Sequence, residues 1–380
     1  MFDVSFRMYF GDRAATETEL ERIEEITVEQ EMDMAWEARI RLFLCLDEKG
    51  RWQHRQDEFA APFSRVRIEL KLGDAAFVPL IDGPVASFDT AMDSQPGRSH
   101  VNLVVRDDSV LLNREEDTEV FENRTDEDVA REMFGRFPQI ASTRIEPTGT
   151  AQRVAVRRGT AIQFLRKLAH AHEYHAYVLP GAQRGQSIGC FLPDPGAPGT
   201  FPALVLMGAE RNLADIQVSE DPEGPQRTRG RTLRLSDQQV VSSESHTRDL
   251  TLMREFPAIS DDQSALRELP PESNDREDPE PRTRAATRRA SYAYRLSARM
   301  VPGCYSAVLA PYQKVSVHAG TTPYSGDYLL TKVTHRITPS LYTQQFEAKG
   351  DSHAEPDAAP QSAAGGAGVS VNFSASISIF

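Results

Sequence analysis

The chain has 380 residues, and its 56 acidic residues outnumber its 43 lysines and arginines, which gives a net charge of −13. This balance argues against a nucleic-acid surface, which normally carries a basic stripe. Although 39% of the residues are hydrophobic, no apolar run approaches the ~20 residues that a membrane-spanning helix needs. The length is sufficient for two or three hydrophobic cores.

The N-terminus and the cysteines carry no targeting or cross-linking signal. Met1-Phe-Asp-Val-Ser-Phe-Arg7 lacks the basic flank and apolar core of a signal peptide, so we expect synthesis and assembly in the cytoplasm. Cys45, Cys190 and Cys304 are odd in number and far apart, so they predict neither a disulfide framework nor a metal site.

Alternating apolar and polar residues dominate the first hundred positions. In residues 66–72, Val, Ile and Leu alternate with charged residues, as a half-buried strand requires. Strands are also predicted at 26–31, 37–46 and 100–106, separated by turn sequences such as Asp82-Gly-Pro84. This part of the chain is therefore predicted to be antiparallel β structure.

Two helices are predicted in the middle of the chain. Thr125 and Thr160 are suitable N-caps, and acidic residues follow Thr125 in what would be the first helical turn. Apolar residues then recur at helical spacing after each cap. Short strands are expected at 152–156, 174–179 and 189–192, so we predict a small α/β domain here.

A faint internal repeat relates the two ends of the chain. Ile23-Glu-Glu-Ile26-Thr-Val28 is echoed by Leu213-Ala-Asp-Ile216-Gln-Val218. Phe63-Ser-Arg-Val66-Arg-Ile68 is echoed by Tyr312-Gln-Lys-Val315-Ser-Val317, and Leu103-Val-Val-Arg106 by Phe346-Glu-Ala-Lys349. The three echoes occur in the same order, which indicates two β-barrels of one kind.

The predicted fold class is α+β and mainly β, with two tube-like antiparallel β-barrels and a small α/β domain between them. The segment 245–290 is too charged and Pro-rich to form a core, so we expect a flexible insertion in the second barrel. The predicted division is a first barrel at 1–112, an α/β domain at 113–205, a second barrel at 206–244 and 291–352, the insertion at 245–290, a linker at 353–368 and a C-terminal strand at 369–380.

The C-terminal strand has a regular period of two, with serines and one asparagine opposite its apolar face. We expect it to dock on a partner protein by adding a strand to a sheet edge, because no partner within its own domain is evident. The predicted docking residues are Val369, Val371, Phe373, Ala375, Ile377 and Ile379.

Candidate chemistry is sparse. His170, His172 and His175 form the one metal-like cluster, but their spacing does not aim two imidazoles at one zinc, and a helix end favours histidines on its own. Acidic pairs such as Glu115-Glu116 and Asp261-Asp262 lie in polar runs typical of solvated turns. We therefore predict no catalytic residue, no metal and no cofactor, and a protein that is not an enzyme.

The order of segments resembles the phage late control D family, which includes baseplate hub proteins and the N-terminal hub part of VgrG spike proteins. The resemblance rests on Ile23-Glu-Glu-Ile-Thr-Val28, on Leu80-Ile-Asp-Gly83-Pro-Val, on the helix from Arg158-Gly-Thr160 to Ala169, and on Gly326-Asp-Tyr328 with Val333-Thr-His335 and Tyr342-Thr-Gln-Gln-Phe346. It covers about residues 2–352. Glu173 stands where the family usually has Gly, and the long charged insertion is not a general feature of the family.

The resemblance implies a homotrimeric structural hub of a contractile phage tail or contractile injection system. Three chains with two barrels each would form a ring of six barrels that connects a hexameric tail tube to a trimeric spike. The implied partners are the tail tube protein, a separate spike protein and other baseplate proteins, without nucleic acid and without membrane insertion of this chain.

Two other functions fit the sequence less well. A metal-dependent envelope hydrolase would use His170, His172 and His175, and the purified protein would then contain zinc. A free-standing β-sandwich binding module would be a monomer with a ligand pocket, whereas a hub would be a threefold ring with an axial channel.

Overall fold

The computed structural model describes residues 3–44, 46, 49–50, 63–95, 97–149, 151–221, 223–224, 227–234, 237–258, 265–270 and 279–353. The predicted docking strand 369–380 and nearly all of the predicted linker lie outside these residues. Within the described part of the chain, no helix is both long and apolar enough to cross a membrane.

The N-terminal part of the chain is built from antiparallel strands. In the strand Glu37–Phe43, Ala38, Ile40 and Leu42 are buried and alternate with exposed residues, as the sequence pattern predicts. The elements of this part are β1 (Val4–Phe10), β2 (Arg13–Ala14), α1 (Glu17–Glu21), β3 (Ile23–Glu31), β4 (Glu37–Phe43), β5 (Arg65–Leu72), β6 (Val78–Ala91), β7 (His100–Arg106) and α2 (Ser109–Leu112).

The middle of the chain is a small α/β unit with its own core. Thr125 and Thr160 cap the two helices as predicted, each accepting a hydrogen bond from a backbone N–H in the first turn. The elements are β8 (Glu116–Thr125), α3 (Asp126–Gly135), β9 (Ile140–Ile145), β10 (Ala151–Thr160), α4 (Ala161–His170), β11 (Tyr174–Pro180) and β12 (Ser187–Pro193).

The C-terminal part returns to β structure and adds one helix. Its elements are β13 (Leu204–Val205), β14 (Leu213–Glu220), β15 (Arg227–Arg234), β16 (Gln239–His246), β17 (Phe256–Pro257), β18 (Leu266–Glu268), α5 (Glu280–Ser291), β19 (Tyr294–Met300), β20 (Lys314–His318), β21 (Gly326–Ile337), β22 (Tyr342–Gly350) and β23 (Ser352–His353). A short 3-10 helix, Thr247–Asp249, follows β16.

One curled sheet of 13 strands contains both terminal parts. The main strand order is β14-β19-β22-β21-β3-β4-β7-β6-β5-β1-β2, and β20 extends β21 on a branch that also carries β13. Every pair is antiparallel except β13 with β20. The predicted class, mainly β with an intervening α/β unit, is confirmed, and the two halves meet where β21 pairs with β3.

The two halves of this sheet have the same topology. In chain order, the first repeat is β3, β4, β5, β6 and β7, and the second is β14, β19, β20, β21 and β22. Both repeats place these strands in the spatial order first, second, fifth, fourth, third. The common order shows a duplicated architecture.

The duplication extends to single residues, and the three sequence echoes lie in structural register. Val28 pairs with Ala38, which pairs with Val105; Val218 pairs with Leu296, which pairs with Ala348. Register irregularities fall at equivalent places, between Val85 and Ser87 in β6 and between Leu330 and Lys332 in β21. Such bulges are local features that chance similarity between strands does not reproduce.

A left-handed backbone position is also duplicated. Phe63 has φ 61° and Tyr312 has φ 62°. Each donates its N–H to the equivalent carbonyl, Val85 O at 3.0 Å and Leu330 O at 3.2 Å. Positive φ is uncommon for aromatic residues, so its occurrence at both positions supports a true repeat.

The segment 245–290, predicted as a flexible insertion, contains regular structure at both ends: β16 ends at His246, and β17 pairs with β23. Residues 280–290 belong to α5, which buries Thr283, Ala285, Ala286 and Thr287. The small side chains let this helix pack closely against β15 and β16. Because the segment is highly charged overall, its sequence does not indicate this buried face. The predicted second barrel included the hairpin of β15 and β16. In the structure this hairpin forms a separate sheet with β18 and does not belong to the 13-stranded sheet.

Candidate functional site

Two unpaired strand edges of the duplicated sheet lie at the positions that the repeat makes complementary. Among the described residues, β14 pairs only with β19, and the C-terminal half of β6 pairs only with β7. A strand edge presents unpaired N–H and C=O groups that can hydrogen-bond to another strand. These two edges are the candidate assembly site.

The junction inside the chain shows what these edges can bind. β21 pairs with β3 in a defined register, in which His335 lies opposite Val28 and Ile337 opposite Ile26. By the repeat, β6 corresponds to β21, and β14 corresponds to β3. The junction therefore has the same strand types as the two free edges, but here they are paired.

Burial differs sharply between the junction and the free edges. In β21, Val333 and Ile337 are 0% and 3% exposed. Their equivalents are Phe88 in β6 and Met92 just after it, and these are 45% and 49% exposed. Apolar side chains that the internal junction covers are thus uncovered at the free edge, which is typical of an interaction surface.

The free edge of β14 is also less buried than its equivalent β3, but the difference is smaller than for β6 and β21. Ile26 and Val28 of β3 are fully buried. Their equivalents Ile216 and Val218 of β14 are only partly buried, against the core of the second half. The free edge of β6 therefore corresponds to β21, and the free edge of β14 corresponds to β3, in a junction that the chain already forms.

A partly buried polar network connects the three parts of the chain. His175 of β11 contacts Asp33 through Nδ1 at 3.0 Å and Asp194 through Nε2 at 3.0 Å. The Tyr292 hydroxyl donates to Asp194 at 2.8 Å, and the Asp33 N–H donates to the Tyr312 hydroxyl at 2.7 Å. Asp33 lies between β3 and β4, and Tyr292 precedes β19, so the network reaches all three parts.

The two carboxylates hold His175 in its charged form. Burial by itself would lower the pKa of the imidazole, but the hydrogen bonds to Asp194 and Asp33 raise it to about 9. Burial opposes ionisation of the carboxyl groups as well. The contact with His175 nevertheless lowers the pKa of Asp194 to about 2, and the contacts with His170 and His175 lower the pKa of Asp33 below its usual value. The network is therefore an ion cluster over the whole neutral range of pH.

The three histidines singled out in the sequence do not form one cluster, although His170 and His175 both lie next to Asp33. His172 Nε2 lies 2.6 Å from Asp126, and His170 lies 3.7 Å from Asp33 on the exposed side of α4. No group of three His, Cys, Asp or Glu residues with metal-binding geometry occurs among the described residues. Of the acidic pairs, Glu116 starts β8 in an exposed position, and Asp261 and Asp262 lie outside the described residues.

A second buried network joins the first half of the sheet to the α/β unit. Arg65 binds Asp82 at 2.6 Å and Asp108 at 2.8 Å, while Arg67 binds Asp82 at 2.9 Å. Ser187 donates to Asp108 at 2.6 Å. The sequence offered no signal for these partners, since they come together only through tertiary packing.

The glycine in the Leu80-Ile-Asp-Gly83 motif has a steric role in this region. A Cβ at Gly83 would lie 1.8 Å from the carbonyl oxygen of Arg106 on the neighbouring strand. No other residue type fits there without moving the backbone. The motif therefore marks a point where β6 and β7 approach closely.

Comparison with known proteins places this fold among tail proteins. No protein-family model and no curated protein matches the chain. A tail protein from Neisseria meningitidis matches with a TM-score of 0.64 at 12% identity, covering 92% of this chain and 96% of that one. A 43 kDa tail protein of prophage MuSo2 from Shewanella oneidensis matches with 0.61 at 10% identity, covering 93% and 99%.

A bacterial secretion protein has the same fold. It is an E. coli component of the type VI secretion system, described as structurally similar to the T4 tail proteins gp27 and gp5. The TM-score is 0.55 at 10% identity, with 92% of this chain and 76% of that chain covered. The resemblance predicted from the sequence is thus confirmed for the fold.

Proposed function

We propose that the chain is a structural hub of a contractile phage tail or contractile injection system. In this role three copies form an adaptor between a hexameric tail tube and a trimeric spike, together with other baseplate proteins, and the chain has no catalytic function. The fold it shares with phage tail proteins and with a type VI secretion component supports this role. The duplicated sheet with its two complementary free edges is the observation that carries it.

The edges define how one copy would meet the next. β6 of one copy would pair with β14 of its neighbour in the register of the internal junction. Thr90 would then lie opposite Val218 of the neighbouring copy, and Met92 opposite Ile216. Repeating this contact around three copies gives six equivalent repeats, because each chain supplies two.

This arrangement would also remove both exposed edges. Closure of the ring would pair these two edges and so protect them from uncontrolled association. It would place Met92 opposite the apolar Ile216, as Ile337 lies opposite Ile26 in the internal junction, and Phe88 opposite Glu220, as Val333 lies opposite Gln30. The apolar surface of the free edges thus has a defined partner in a second copy.

The register is tested by disulfide cross-linking between copies. In a background in which Cys45 and Cys304 are replaced by Ser, the pair Thr90→Cys and Val218→Cys should form an intermolecular disulfide under mild oxidation. Opposed residues in an antiparallel pair have the short Cα separation that a disulfide needs. Non-reducing electrophoresis should show dimers and closed trimers.

The matched control moves one cysteine by a single residue. Asp89→Cys with Val218→Cys places the two thiols on opposite faces of the sheet, because side chains alternate along a strand. It should cross-link at least tenfold more slowly than the first pair. Equal cross-linking of both pairs, or none with either, would refute the proposed register.

A further inference from the structure

The internal junction of β21 with β3 carries cations on one strand and anions on the other. Arg336 of β21 donates to the two carboxylate oxygens of Glu25 at 2.7 and 2.8 Å. Lys332 of β21 lies 3.4 Å from Glu29 and 3.3 Å from Glu31. The positive charges of this junction therefore belong to β21 and the negative charges to β3.

The free edge of β6 does not repeat this pattern. The β6 residues equivalent to Lys332 and Arg336 are Ser87 and Ala91, which carry no charge. Between them lies Asp89, where β21 has a neutral threonine. Asp89 is exposed and forms no ion pair or hydrogen bond within the described part of the chain. The charge on this strand is thus negative, whereas that on β21 is positive.

The edge of β14 differs from β3 in the complementary sense. Ser219 takes the place of Glu29, so β14 has no acidic residue at the position that would face Asp89. On the next strand, β19, Arg295 lies directly opposite Ser219, whereas Glu37 lies opposite Glu29 in the first half. A small side chain with a cation behind it therefore replaces two carboxylates.

Arg295 is a cation without a partner in its own copy. It is exposed, and it forms no ion pair or hydrogen bond with any of the described residues. Its neighbour on the other side is Lys349 of β22, which has the same charge. Glu347, two residues before Lys349, forms no ion pair with it either. An arginine between a serine and a lysine is stabilised by a carboxylate that approaches from the serine side.

The register of the copy-to-copy junction, β6 of one copy with β14 of the next, brings these two unpaired charges together. Asp89 lies opposite Ser219, as Thr334 lies opposite Glu29 in the internal junction. Neighbouring strands are about 5 Å apart, so the Cα atoms of Asp89 and Arg295 are separated by about 10 Å on one face of the sheet. The long arginine side chain can reach the carboxylate across the small Ser219.

A further carboxylate, Asp221, follows β14 but lies on the more distant diagonal from Asp89. In the internal junction the ion-pairing side chains of β21 extend towards lower-numbered residues of β3. Arg336, for example, contacts Glu25, two residues before the residue that it faces. In the same geometry Asp89 approaches Gln217 and not Asp221. No like charge therefore lies on its near diagonal.

We propose that Asp89 and Arg295 form an ion pair between copies, and that this pair distinguishes the copy-to-copy junction from the internal junction. The inference rests on the proposed hub role, because it uses the register of the proposed ring. Pairing of β6 with β3 would instead place Asp89 opposite Glu29, and like charges directly opposite each other destabilise a strand pair. The charges therefore disfavour exchange of strands between the two kinds of junction.

Analytical ultracentrifugation of the full chain at low ionic strength tests the ion pair. Asp89→Lys replaces an attraction by a repulsion and should weaken each copy-to-copy contact about tenfold. In an Arg295→Gln background the same substitution should weaken the contact less than about threefold, because the charge that repels the lysine is absent. A purely structural role of Asp89 predicts the same loss in both backgrounds, and that result would overturn the inference.

A control and a rescue accompany this comparison. Asp74→Lys makes the same change of charge at an exposed position in the turn between β5 and β6, and it should alter association less than about twofold. Adding Ser219→Glu to Asp89→Lys rebuilds the charge arrangement of the internal junction. This combination should restore association to within about threefold of the unmodified chain. Failure of the rescue would contradict the inference.

The outcomes separate this inference from the hub role. If the unmodified chain associates and the Asp89→Lys variant associates equally well, the ion pair does not form, while the hub role stands. If the unmodified chain stays monomeric, both the hub role and the ion pair are wrong.

Discussion

His175 lies between two carboxylates that come from different parts of the chain. Its pKa is raised from 6.5 to about 9, so its ion pairs stabilise the fold fully below pH 6.5, and this contribution is lost as the pH rises through 9. The lowered pKa of Asp194 acts in the opposite direction, with a contribution present above pH 3.8 and lost as the pH falls through about 2. The network is therefore most effective between these limits.

Replacing this histidine should change both stability and its dependence on pH. His175→Asn removes the charge between Asp33 and Asp194 and should lower the free energy of unfolding at pH 6 by about 3 kcal/mol. Between pH 6 and pH 9.5 the unmodified chain should lose stability relative to the variant. Urea unfolding at the two pH values, followed by circular dichroism, measures both effects.

His100→Asn is the control, since His100 contacts the carbonyl oxygen of Arg98 on the surface. It should leave the stability nearly unchanged. If the His175→Asn variant and the unmodified chain show parallel stability curves across this range, the imidazole is not held between charges, and the network does not fix the parts of the chain in the way described.

For single residues, the sequence identified the histidines but not the carboxylates that bind them. The cluster at the end of a predicted helix was visible, and the caps Thr125 and Thr160 were correct, because both depend on neighbours in sequence. Asp33 is 142 residues from His175. Nothing in the local sequence around Met32-Asp33-Met34 indicates a contact over that distance.

Among the elements, periodicity predicted strands well and composition predicted α5 poorly. The residues of β4 alternate regularly between buried and exposed, so its buried face could be predicted directly. α5 is rich in arginine, and its buried face consists of Ala and Thr, which give little hydrophobic signal. The pairing of β21 with β3, which joins the two halves, depends on register across about 300 residues and has no local signature.

The C-terminal strand, residues 369–380, remains a prediction. We expect its apolar face to add to a sheet edge of the spike protein. Deleting residues 369–380 should leave the trimer intact and reduce retention of the spike in a pull-down at least tenfold. Phe373→Asp should have the same effect, because it places a charge on the docking face.

The control for this experiment is Ser374→Asp, which places the same charge on the opposite face. It should retain the spike. If deletion instead dissociates the trimer, the strand pairs within or between hub subunits. Normal retention of the spike by the truncated chain would end the docking proposal.

The largest part of the molecule is a duplicated sheet, in which the second half pairs with the first half through β21 and β3. The equivalent strand edges, on β6 and β14, are unpaired among the described residues. A contact that the chain already forms within itself therefore describes how copies would join. The faint echoes in the sequence indicated the duplication, while the open edges became visible only with the strand pairing.

The most direct test of the proposed assembly is the native mass of the purified chain at micromolar concentration, alone and with a candidate spike protein. We predict a particle of three times 42.4 kDa, in which six equivalent repeats close a ring. Mass spectrometry under native conditions resolves this from other stoichiometries. A monomer of 42.4 kDa under all these conditions would contradict the proposed assembly.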